Sequence, residues 1–332
     1  MTVLVTGGSG LVGSHVIEAL RARGEAVRAL VRPSSRAPVA ALGAEPVVGE
    51  VTDARAWTEA AAGARAIVHA AALVAARATF AAFERVNVGG TRLAIAAARR
   101  SGARLVHVSS VAVYGRGAAA GHRVAEDCAF QPLDARDYYA RTKRMADDLV
   151  QAEAGRGDLA AVAIRPNVIY GERDRLFTPR LIAALRRRVV PQIGPGNNQL
   201  SCVYAGNVAA AIVAALERGD SAGFRAYNVT HDAPPPLTQR QWVDAFAGAL
   251  GVRIRRVAVP VELARVAMEV AHGWIRLWDR SRYAGLAPSA IWFLVGDNPY
   301  VDARAHHELS WTPPFDAASA IGRTARSFTA PD

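Results

Sequence analysis

The sequence predicts an α/β protein built on a doubly wound parallel sheet, with a smaller C-terminal α/β region. Two observations support this prediction. Short β-branched runs alternate with alanine-rich helical stretches through residues 1–170, and that order is typical of a parallel sheet covered by helices on both faces. Beyond residue 170, turn-rich pieces such as 194–198 and 234–236 interrupt the pattern. They indicate a second region over the strand ends, where open α/β sheets bind ligands.

Six strands are predicted from runs of apolar and β-branched residues, and a helix over about residues 10–23 follows the first of them. We expect residues 1–170 to form the first domain, with a return segment near 203–232. Residues 171–202 and 233–332 are then expected to form the second region. The predicted strands lie at residues 3–5, 26–31, 46–48, 66–69, 105–108 and 161–164.

Composition excludes several protein classes. The 332 residues are 51% hydrophobic and 21% charged, which excludes a disordered chain. Charges interrupt every long apolar stretch before it reaches the ~18 residues that a membrane-spanning helix needs. Cys128 and Cys202 are too few and too far apart for a disulfide framework, and the first residues already resemble a buried strand rather than a signal peptide. We therefore expect a cytoplasmic protein.

The net charge is +11, from 40 basic and 29 acidic residues, and it raises the question of nucleic-acid binding. All but one of the basic residues are arginine; they are scattered along the chain, without a long basic tail. This distribution favours a compositional bias over a nucleic-acid surface, so we expect no nucleic-acid partner. A weak attraction to anionic lipid stays open, and with it a membrane-associated location.

A glycine-rich loop directly follows the first strand and opens the first helix. Gly7, Gly10 and Gly13 enclose Leu11 and Val12 in a GxxGxxG pattern. Glycine permits the tight turn and lets a pyrophosphate approach the backbone N–H groups at the helix N-terminus. In this strand–turn–helix context, the pattern predicts a dinucleotide site and a Rossmann-type fold.

The end of the second strand bears on which dinucleotide is bound. An acidic residue there would accept hydrogen bonds from the free ribose hydroxyl of NAD(H), and none is present. Arg32 and Arg36 occupy this segment instead, and guanidinium groups suit a 2′-phosphate. The sequence therefore favours NADP(H), although NAD(H) stays open because Arg32 could simply stack on the adenine.

Tyr139 and Lys143 are candidate catalytic residues. Their spacing of four places them on one face of a helix. A phenol has a pKa near ~10 and needs a nearby cation to favour its phenolate at neutral pH, and Lys143 can supply that cation. In a chain so rich in arginine, the single lysine occupies this position. Tyr138 is the weaker candidate because Thr142 stands four residues on from it.

Ser109 and Ser110 follow the fifth strand, where a hydroxyl faces the ligand crevice and can donate a hydrogen bond to a substrate oxygen. The combination of motifs resembles the extended short-chain dehydrogenase/reductase family over nearly the whole chain. The Val113-Tyr114-Gly115 that follows implies Ser110 as the catalytic serine and leaves Ser109 as the lesser candidate.

The resemblance also implies a set of cofactor-contacting positions: Glu50 and Val51 at the adenine, the small-residue wall Ala70, Ala71 and Ala72, the structural Asn87, and Pro166 and Val168 along the nicotinamide.

The substrate class is predicted from a departure from the family. Members that act on nucleotide sugars carry a diphosphate-binding arginine where this chain has Leu200, and an acidic residue where it has Asn207. Residues 226–230, 299–304 and 309–313 instead resemble the 3β-hydroxysteroid dehydrogenase branch, including the sterol-4-carboxylate 3-dehydrogenases. This implies a dehydrogenase for a secondary alcohol or ketone on a hydrophobic molecule, and a steroid-like 3-hydroxyl is favoured.

Other functions stay open at this point. The enzyme alternatives are a 2-alkyl-3-oxoalkanoate reductase, which the sequence also resembles, and a nucleotide-sugar epimerase or dehydratase. The non-enzyme alternative is a dinucleotide-sensing protein, which would have no need of a tuned phenol. We expect a homodimer and no metal, since the histidines show no metal-ligand spacing.

Residues 261–278 carry an apolar stripe at helical spacing. Three interpretations stay open: a core helix, a wall of a lipid-binding pocket, or a helix in peripheral contact with a membrane. The stripe comprises Leu263, Val266, Ala267, Val270, Trp274, Ile275 and Trp278.

Overall fold

A seven-stranded parallel sheet forms the centre of the computed structural model, which describes residues 2–74, 78–115, 123–218, 223–278 and 294–329. Its strand order is β10-β6-β5-β4-β1-β2-β3, and every neighbouring pair is parallel. The predicted fold class is confirmed, and six of the seven strands are the predicted ones. The strands are β1 (Thr2–Thr6), β2 (Ala26–Val31), β3 (Glu45–Val48), β4 (Ala64–His69), β5 (Arg104–Val108), β6 (Ala160–Pro166) and β10 (Gly223–Val229).

Helices cover both faces of this sheet. The side chains of α1 and α8 pack on one face, and those of α3, α5 and α6 pack on the other. Burial on both faces explains why the strands are nearly continuous apolar runs rather than alternating ones. The helices are α1 (Leu11–Ala22), α2 (Arg36–Ala41), α3 (Ala54–Ala60), α4 (Phe80–Glu84), α5 (Gly90–Ser101), α6 (Tyr138–Ala154), α7 (Thr178–Arg186), α8 (Ala205–Glu217), α9 (Gln239–Ala249), α10 (Val261–Trp278), α11 (Ala303–Glu308) and α12 (Ala317–Ser327).

Two small parallel sheets extend the structure beyond β6. Strand β7 (Val168–Tyr170) pairs with β9 (Cys202–Tyr204), and β8 (Val189–Ile193) pairs with β11 (Arg255–Val259). A separate apolar core joins these sheets to α9 and α12, and its members include Leu200, Trp242, Phe246 and Ile321. The predicted extents of the two regions stay a prediction.

Helix α10 turns its apolar stripe outward. Leu263, Val266, Val270 and Trp274 are exposed, whereas Ala264 is buried. The interpretation as a core helix therefore fails for these residues, because periodicity alone does not reveal which side of a helix meets solvent. The side chains of Ile275 and Trp278 lie outside what the structure describes. Within the described ranges, no helix is long and apolar enough to cross a bilayer.

Candidate active site

The glycine loop between β1 and α1 contains close backbone approaches. Gly7 has a φ of +70°, and a Cβ atom added there would lie 2.8 Å from the backbone nitrogen of Ala71. A Cβ atom on Gly13 would lie 2.3 Å from the carbonyl oxygen of Gly7. Neither position accommodates a side chain without moving backbone, so this turn into α1, named the glycine cradle, requires glycine at both positions.

The N-terminus of α1 is left without a side-chain cap. Gly10 is the N-cap residue, no side chain caps it, and the first turn holds no acidic residue. The backbone N–H groups of the first turn, including those of Leu11 and Val12, therefore have no partner in the helix and lie at the positive end of its dipole. An anion such as a pyrophosphate suits this position.

Arg32 and Arg36 are exposed just beyond β2. In the described part of the chain, neither guanidinium has a carboxylate partner, so both are available to a phosphate. Between them, the buried Ser35 accepts a hydrogen bond of 2.9 Å from the hydroxyl of Ser9. That bond joins the arginine segment to the glycine loop. Glu50, beyond the end of β3, is also exposed.

Hydrogen bonds at both ends fix the small-residue wall after β4. The Thr6 hydroxyl accepts a bond of 3.2 Å from the Ala71 backbone and pairs with Nδ1 of His69 at 2.9 Å. The side-chain oxygen Oδ1 of Asn87 accepts a hydrogen bond of 2.7 Å from the backbone N–H of Leu73. The side-chain nitrogen Nδ2 of Asn87 donates one of 3.1 Å to the backbone carbonyl of Leu73. Ala70, Ala71 and Ala72 are thus held beside the glycine loop, and Val51 packs by its side chain near Gly90.

Ser110 and Tyr139 are brought together by the turn after β5 and the start of α6. The Ser110 hydroxyl lies close enough to the Tyr139 phenol to affect its pKa. Ser110 also caps the following turn by accepting a bond of 3.2 Å from the Ala112 backbone, and Asp137 caps α6 by accepting one of 2.9 Å from Ala140. Burial raises the pKa of Tyr139 to about 12; the Ser110 hydroxyl lowers it, and the Asp137 carboxylate raises it.

Lys143 lies one turn further along α6 and is 3% exposed. Its ammonium donates a hydrogen bond of 2.5 Å to the carbonyl of Val108, the last residue of β5. Burial lowers the pKa of Lys143 to about 8, and the Asp147 carboxylate opposes this change. Burial dominates at the phenol, and the tuning of Tyr139 by Lys143 stays a prediction. Tyr139 is therefore protonated at neutral pH in this form.

A buried histidine pair lies beneath the site. His69, the last residue of β4, pairs in register with His107 of β5, and the centroids of their stacked rings lie 5.9 Å apart. Burial, reinforced by the charge of Lys143, lowers the pKa of His69 to about 3 and that of His107 well below its usual range. Both imidazoles are neutral, so the positive charge near them comes from Lys143 and, at His107, also from Arg165. No group of three or more metal-ligating side chains occurs in the described ranges.

The sequence analysis missed the contacts that hold α6 in place. The Arg165 guanidinium donates a hydrogen bond of 2.5 Å to the Asp147 carboxylate, and both side chains are buried. The Thr142 hydroxyl accepts a bond of 3.0 Å from Asn87. Asp147 stands four residues after Lys143, so helical spacing could have placed it on the same face. Nothing in the sequence marks Arg165 as its partner.

Three remaining predicted residues lie at the carboxyl ends of β5 and β6. The Ser109 hydroxyl is buried and has no partner among the described residues. Pro166 ends β6 in register with Val229 of β10, and Val168 begins β7. Since all strands of the main sheet are parallel, these ends share an edge with the glycine loop, Ser110 and the wall after β4.

Leu200 lies in the apolar core of the second region and is 8% exposed. It also lines a cleft next to β9, together with Cys202, His231, Asp232 and Trp242. The Asp232 carboxylate already accepts hydrogen bonds from the Tyr170 hydroxyl at 2.6 Å and from the Asn207 amide at 2.7 Å. The position that nucleotide-sugar enzymes of the family use for a cation therefore holds a packed apolar side chain.

The fold and the residues at this edge of the sheet define an NAD(P)-dependent short-chain oxidoreductase that acts on CH–OH groups. The family model described as "NAD dependent epimerase/dehydratase family" matches residues 3–230. This chain therefore belongs to the NAD-dependent epimerase/dehydratase family, as the resemblance of its motifs implies.

Three curated relatives are similar over most of their length. The 4-hydroxy-2-methyl-3-oxo-4-farnesyl-3,4-dihydroquinoline-1-oxide ketoreductase of Stigmatella aurantiaca is 35% identical over 94% of this chain and 92% of its own. The 2-alkyl-3-oxoalkanoate reductase of Stenotrophomonas maltophilia is 31% identical over 87% and 86%. The 3 beta-hydroxysteroid dehydrogenase/Delta 5-->4-isomerase of Mycobacterium tuberculosis is 30% identical over 96% and 88%.

A solved structure shows the same fold. A short-chain dehydrogenase/reductase superfamily protein from Agrobacterium tumefaciens, with bound NAD, superposes with a TM-score of 0.71. It is 23% identical and the match covers 99% of this chain and 97% of the other, so the likeness establishes the fold alone.

Proposed function

We propose that this chain interconverts a secondary alcohol and a ketone on a hydrophobic lipid, with NADP(H) preferred over NAD(H). A 3β-hydroxysteroid or sterol is the favoured substrate. The observation that carries the proposal is the placement of Ser110 beside Tyr139, followed one helical turn later by the buried Lys143. The proposal includes a dinucleotide-binding domain at 1–170, with its return segment near 203–232, and a substrate region at 171–202 and 233–332.

The chain's own residues act on the proton of the substrate oxygen. Tyr139 is a protonated phenol at neutral pH, so it can donate its proton to a ketone oxygen that gains negative charge. The Ser110 hydroxyl can donate a hydrogen bond to the same oxygen. Lys143 supplies positive charge one helical turn along α6 from Tyr139, from its position at the Val108 carbonyl. In the oxidising direction the phenolate of Tyr139 accepts the proton of the alcohol.

The residues around the glycine loop fit a nicotinamide dinucleotide. The cradle at Gly7 and Gly13 and the uncapped start of α1 suit its pyrophosphate. Arg32 and Arg36 suit a 2′-phosphate and support the preference for NADP(H). When bound, the nicotinamide accepts or donates the hydride. The remaining predicted cofactor contacts, from Glu50 to Val168, are part of this proposal.

The substrate class is supported by Leu200, which occupies the position of the diphosphate-binding arginine of nucleotide-sugar enzymes. A buried diphosphate without a paired cation would lose charge-assisted hydrogen bonds worth ~1.5–3 kcal/mol each, and Leu200 offers none. The apolar surface around Leu200 and Trp242 favours a hydrophobic molecule instead. The relative from Mycobacterium tuberculosis, whose name specifies a 3β-hydroxysteroid, supports the steroid assignment.

A second candidate is reduction of the 3-oxo group of a 2-alkyl-3-oxoalkanoate. The name of the relative from Stenotrophomonas maltophilia specifies this substrate, and the name of the relative from Stigmatella aurantiaca specifies a 3-oxo group on a farnesylated dihydroquinoline ring, so both support a ketone on a hydrophobic molecule. The protonated phenol of Tyr139 suits reduction of a ketone, which is the direction of this second candidate, whereas oxidation of a 3β-hydroxysteroid needs the phenolate.

The experiment is calorimetry together with an assay of cofactor absorbance. The ligands are UDP, UDP-glucose, a 3β-hydroxysteroid and a long-chain 2-alkyl-3-oxo acid. We expect heat and turnover only with a hydrophobic ligand, and the ligand that reacts decides between the two candidates. Micromolar UDP binding without heat from either lipid would contradict the proposal. Leu200→Arg should destabilise the fold, because it buries an unpaired charge, and should not create binding of UDP-glucose.

A further inference from the structure

We propose that the outer face of α10, together with the adjoining sheet of β8 and β11, binds an anionic phospholipid surface. This goes beyond the proposed reaction, since it concerns a surface outside the catalytic residues.

The outer face of α10 is apolar along three helical turns. Leu263 is 60% exposed, Val266 53%, Val270 56% and Trp274 63%. Their spacing of three and four residues places them in one stripe along the helix. A tryptophan in an exposed apolar stripe is typical of helices that lie in the interface of a bilayer.

The small sheet adjoins the start of α10 and also exposes apolar side chains. Val189 of β8 and Val257 of β11 are exposed, and the two strands lie in parallel register. The sheet leads into α10, because a Cβ atom on Gly194, just after β8, would lie 3.2 Å from the side chain of Val261, the first residue of α10. The exposed apolar area is thus larger than a single helix stripe.

Uncompensated arginines border this surface. Arg187, Arg188, Arg253 and Arg255 are exposed and have no carboxylate partner within the described ranges. The backbone N–H of Arg255 donates to the carbonyl of Arg188 at 2.7 Å, so these arginines gather where the two strands begin. The sequence from residue 175 to residue 216 holds no acidic residue.

The acidic residues of α10 do not balance this charge. Glu262 pairs with Arg265 at 2.7 Å, and Glu269 pairs with Arg136 at 3.1 Å. An isologous contact with a second copy of this chain would bring arginine-rich patches against each other. An anionic bilayer accepts both features, because it buries the apolar stripe and attracts nearby arginines.

The same helix is tied to the catalytic segment. Arg136, which bonds Glu269 of α10, also donates a hydrogen bond of 2.8 Å to Asp134 and lies three residues before Tyr139. A bilayer docked on α10 would therefore lie close to the segment that begins α6. An apolar substrate would then pass from the bilayer to the nearby catalytic residues. This consequence rests on the proposed function.

The test is co-sedimentation of the full chain with phosphatidylcholine vesicles, with and without phosphatidylglycerol. We expect binding that requires the anionic lipid. A variant with Leu263→Ser, Val266→Ser, Val270→Ser and Trp274→Ser should bind at least about tenfold more weakly, since each side chain loses the burial of a large apolar group. Arg187→Glu with Arg255→Glu should weaken binding to vesicles that contain phosphatidylglycerol by at least about tenfold, because it reverses two charges that attract the anionic surface. Arg55→Glu with Arg100→Glu, on exposed arginines elsewhere, is the charge-matched control and should bind like the wild type.

All substituted side chains are exposed, so circular dichroism and melting should match the wild type. Wild-type protein that does not bind anionic vesicles, or a serine variant that binds like the wild type, would overturn the proposal. Conversion of a dimer to a monomer by the serine variant would assign the surface to a second copy instead. Because binding is measured without substrate, failure of the proposed reaction would leave this result intact.

Discussion

The side-chain amide of Asn87 donates a hydrogen bond of 3.0 Å to the hydroxyl of Thr142. Asn87 also holds the backbone of Leu73 through two bonds. One buried side chain thus fixes the wall after β4 to the helix that carries Tyr139 and Lys143. The relative position of the proposed cofactor contacts and the proposed catalytic groups depends on it.

We expect Asn87→Ala to destabilise the fold by about 2–4 kcal/mol, since it leaves buried partners without hydrogen bonds worth ~1–3 kcal/mol each. Cofactor affinity should fall about tenfold because the wall is released. Chemical denaturation and cofactor titration measure the two effects. Thr142→Val, which keeps both bonds to Leu73, is the control and should show a smaller loss of each. An alanine variant with wild-type stability and affinity would refute the role.

Tyr139→Phe should reduce turnover by ~10²–10⁴-fold and leave cofactor binding within about twofold of wild type. The phenol is proposed to move the proton rather than to hold the dinucleotide. Steady-state assays with the reacting substrate and cofactor titration test this. Tyr138→Phe is the matched control: its ring packs edge-on against Phe80 and Phe83, and its activity should stay near wild type. Comparable losses of turnover in both variants would contradict the assignment of Tyr139 as the group that moves the proton.

Lys143→Met should stabilise the cofactor-free protein at neutral pH while it abolishes turnover. Burial lowers the pKa of Lys143 from its ordinary 10.5 to about 8, so the folded state disfavours the ammonium. Below pH 8 the buried ammonium lowers the free energy of unfolding by about 3 kcal/mol. This loss of stability fades as the pH rises from 8 to 10.5. Loss of the bond to Val108 offsets about 1 kcal/mol of the gain.

Urea denaturation at neutral pH and near pH ~10 measures the effect of this substitution. The advantage of the methionine variant over wild type should shrink at the higher pH. A methionine variant that is less stable than wild type at neutral pH would show that the ammonium contributes to folding.

Arg32→Ala and Arg36→Ala should each weaken NADP(H) binding by roughly 10–100-fold, since each removes charge-assisted hydrogen bonds to a 2′-phosphate. NAD(H) affinity should change by less than about threefold. Fluorescence titration of both cofactors onto the cofactor-free protein measures the ratio. Arg55→Ala, on an exposed arginine of α3, is the control for charge alone. Tighter binding of NAD(H) by the wild type, unchanged in Arg32→Ala, would refute the preference.

The sequence predicts most of the main sheet because strands buried on both faces produce continuous apolar runs. The predicted 105–108 and 161–164 lie inside β5 and β6, for example. Strand β10 was not predicted as such: it begins with Gly223 and Phe224 and includes Arg225, and it is recognisable only by its pairing with β6. Local pattern carries no information on a partner more than sixty residues away.

The candidate site is only partly predictable for the same reason. Helical spacing places Tyr139 and Lys143 together, and the glycine pattern predicts the cradle. The burial that raises the pKa of Tyr139 depends on the elements packed around it. The pair of Arg165 and Asp147 and the exposed stripe of α10 likewise depend on tertiary packing, which periodicity does not encode.

The single lysine provides a chemical reporter of motion. Lys143 is the only side-chain amine in the sequence, it is buried, and its pKa of about 8 makes it a good nucleophile whenever it becomes accessible. An acylating reagent therefore meets one internal target, and the rate of its modification measures how often α6 separates from β5. Mass spectrometry of proteolytic peptides, which separates Lys143 from the reactive terminal α-amino group, would count these openings without engineered labels, and their suppression by a ligand would register binding at the site.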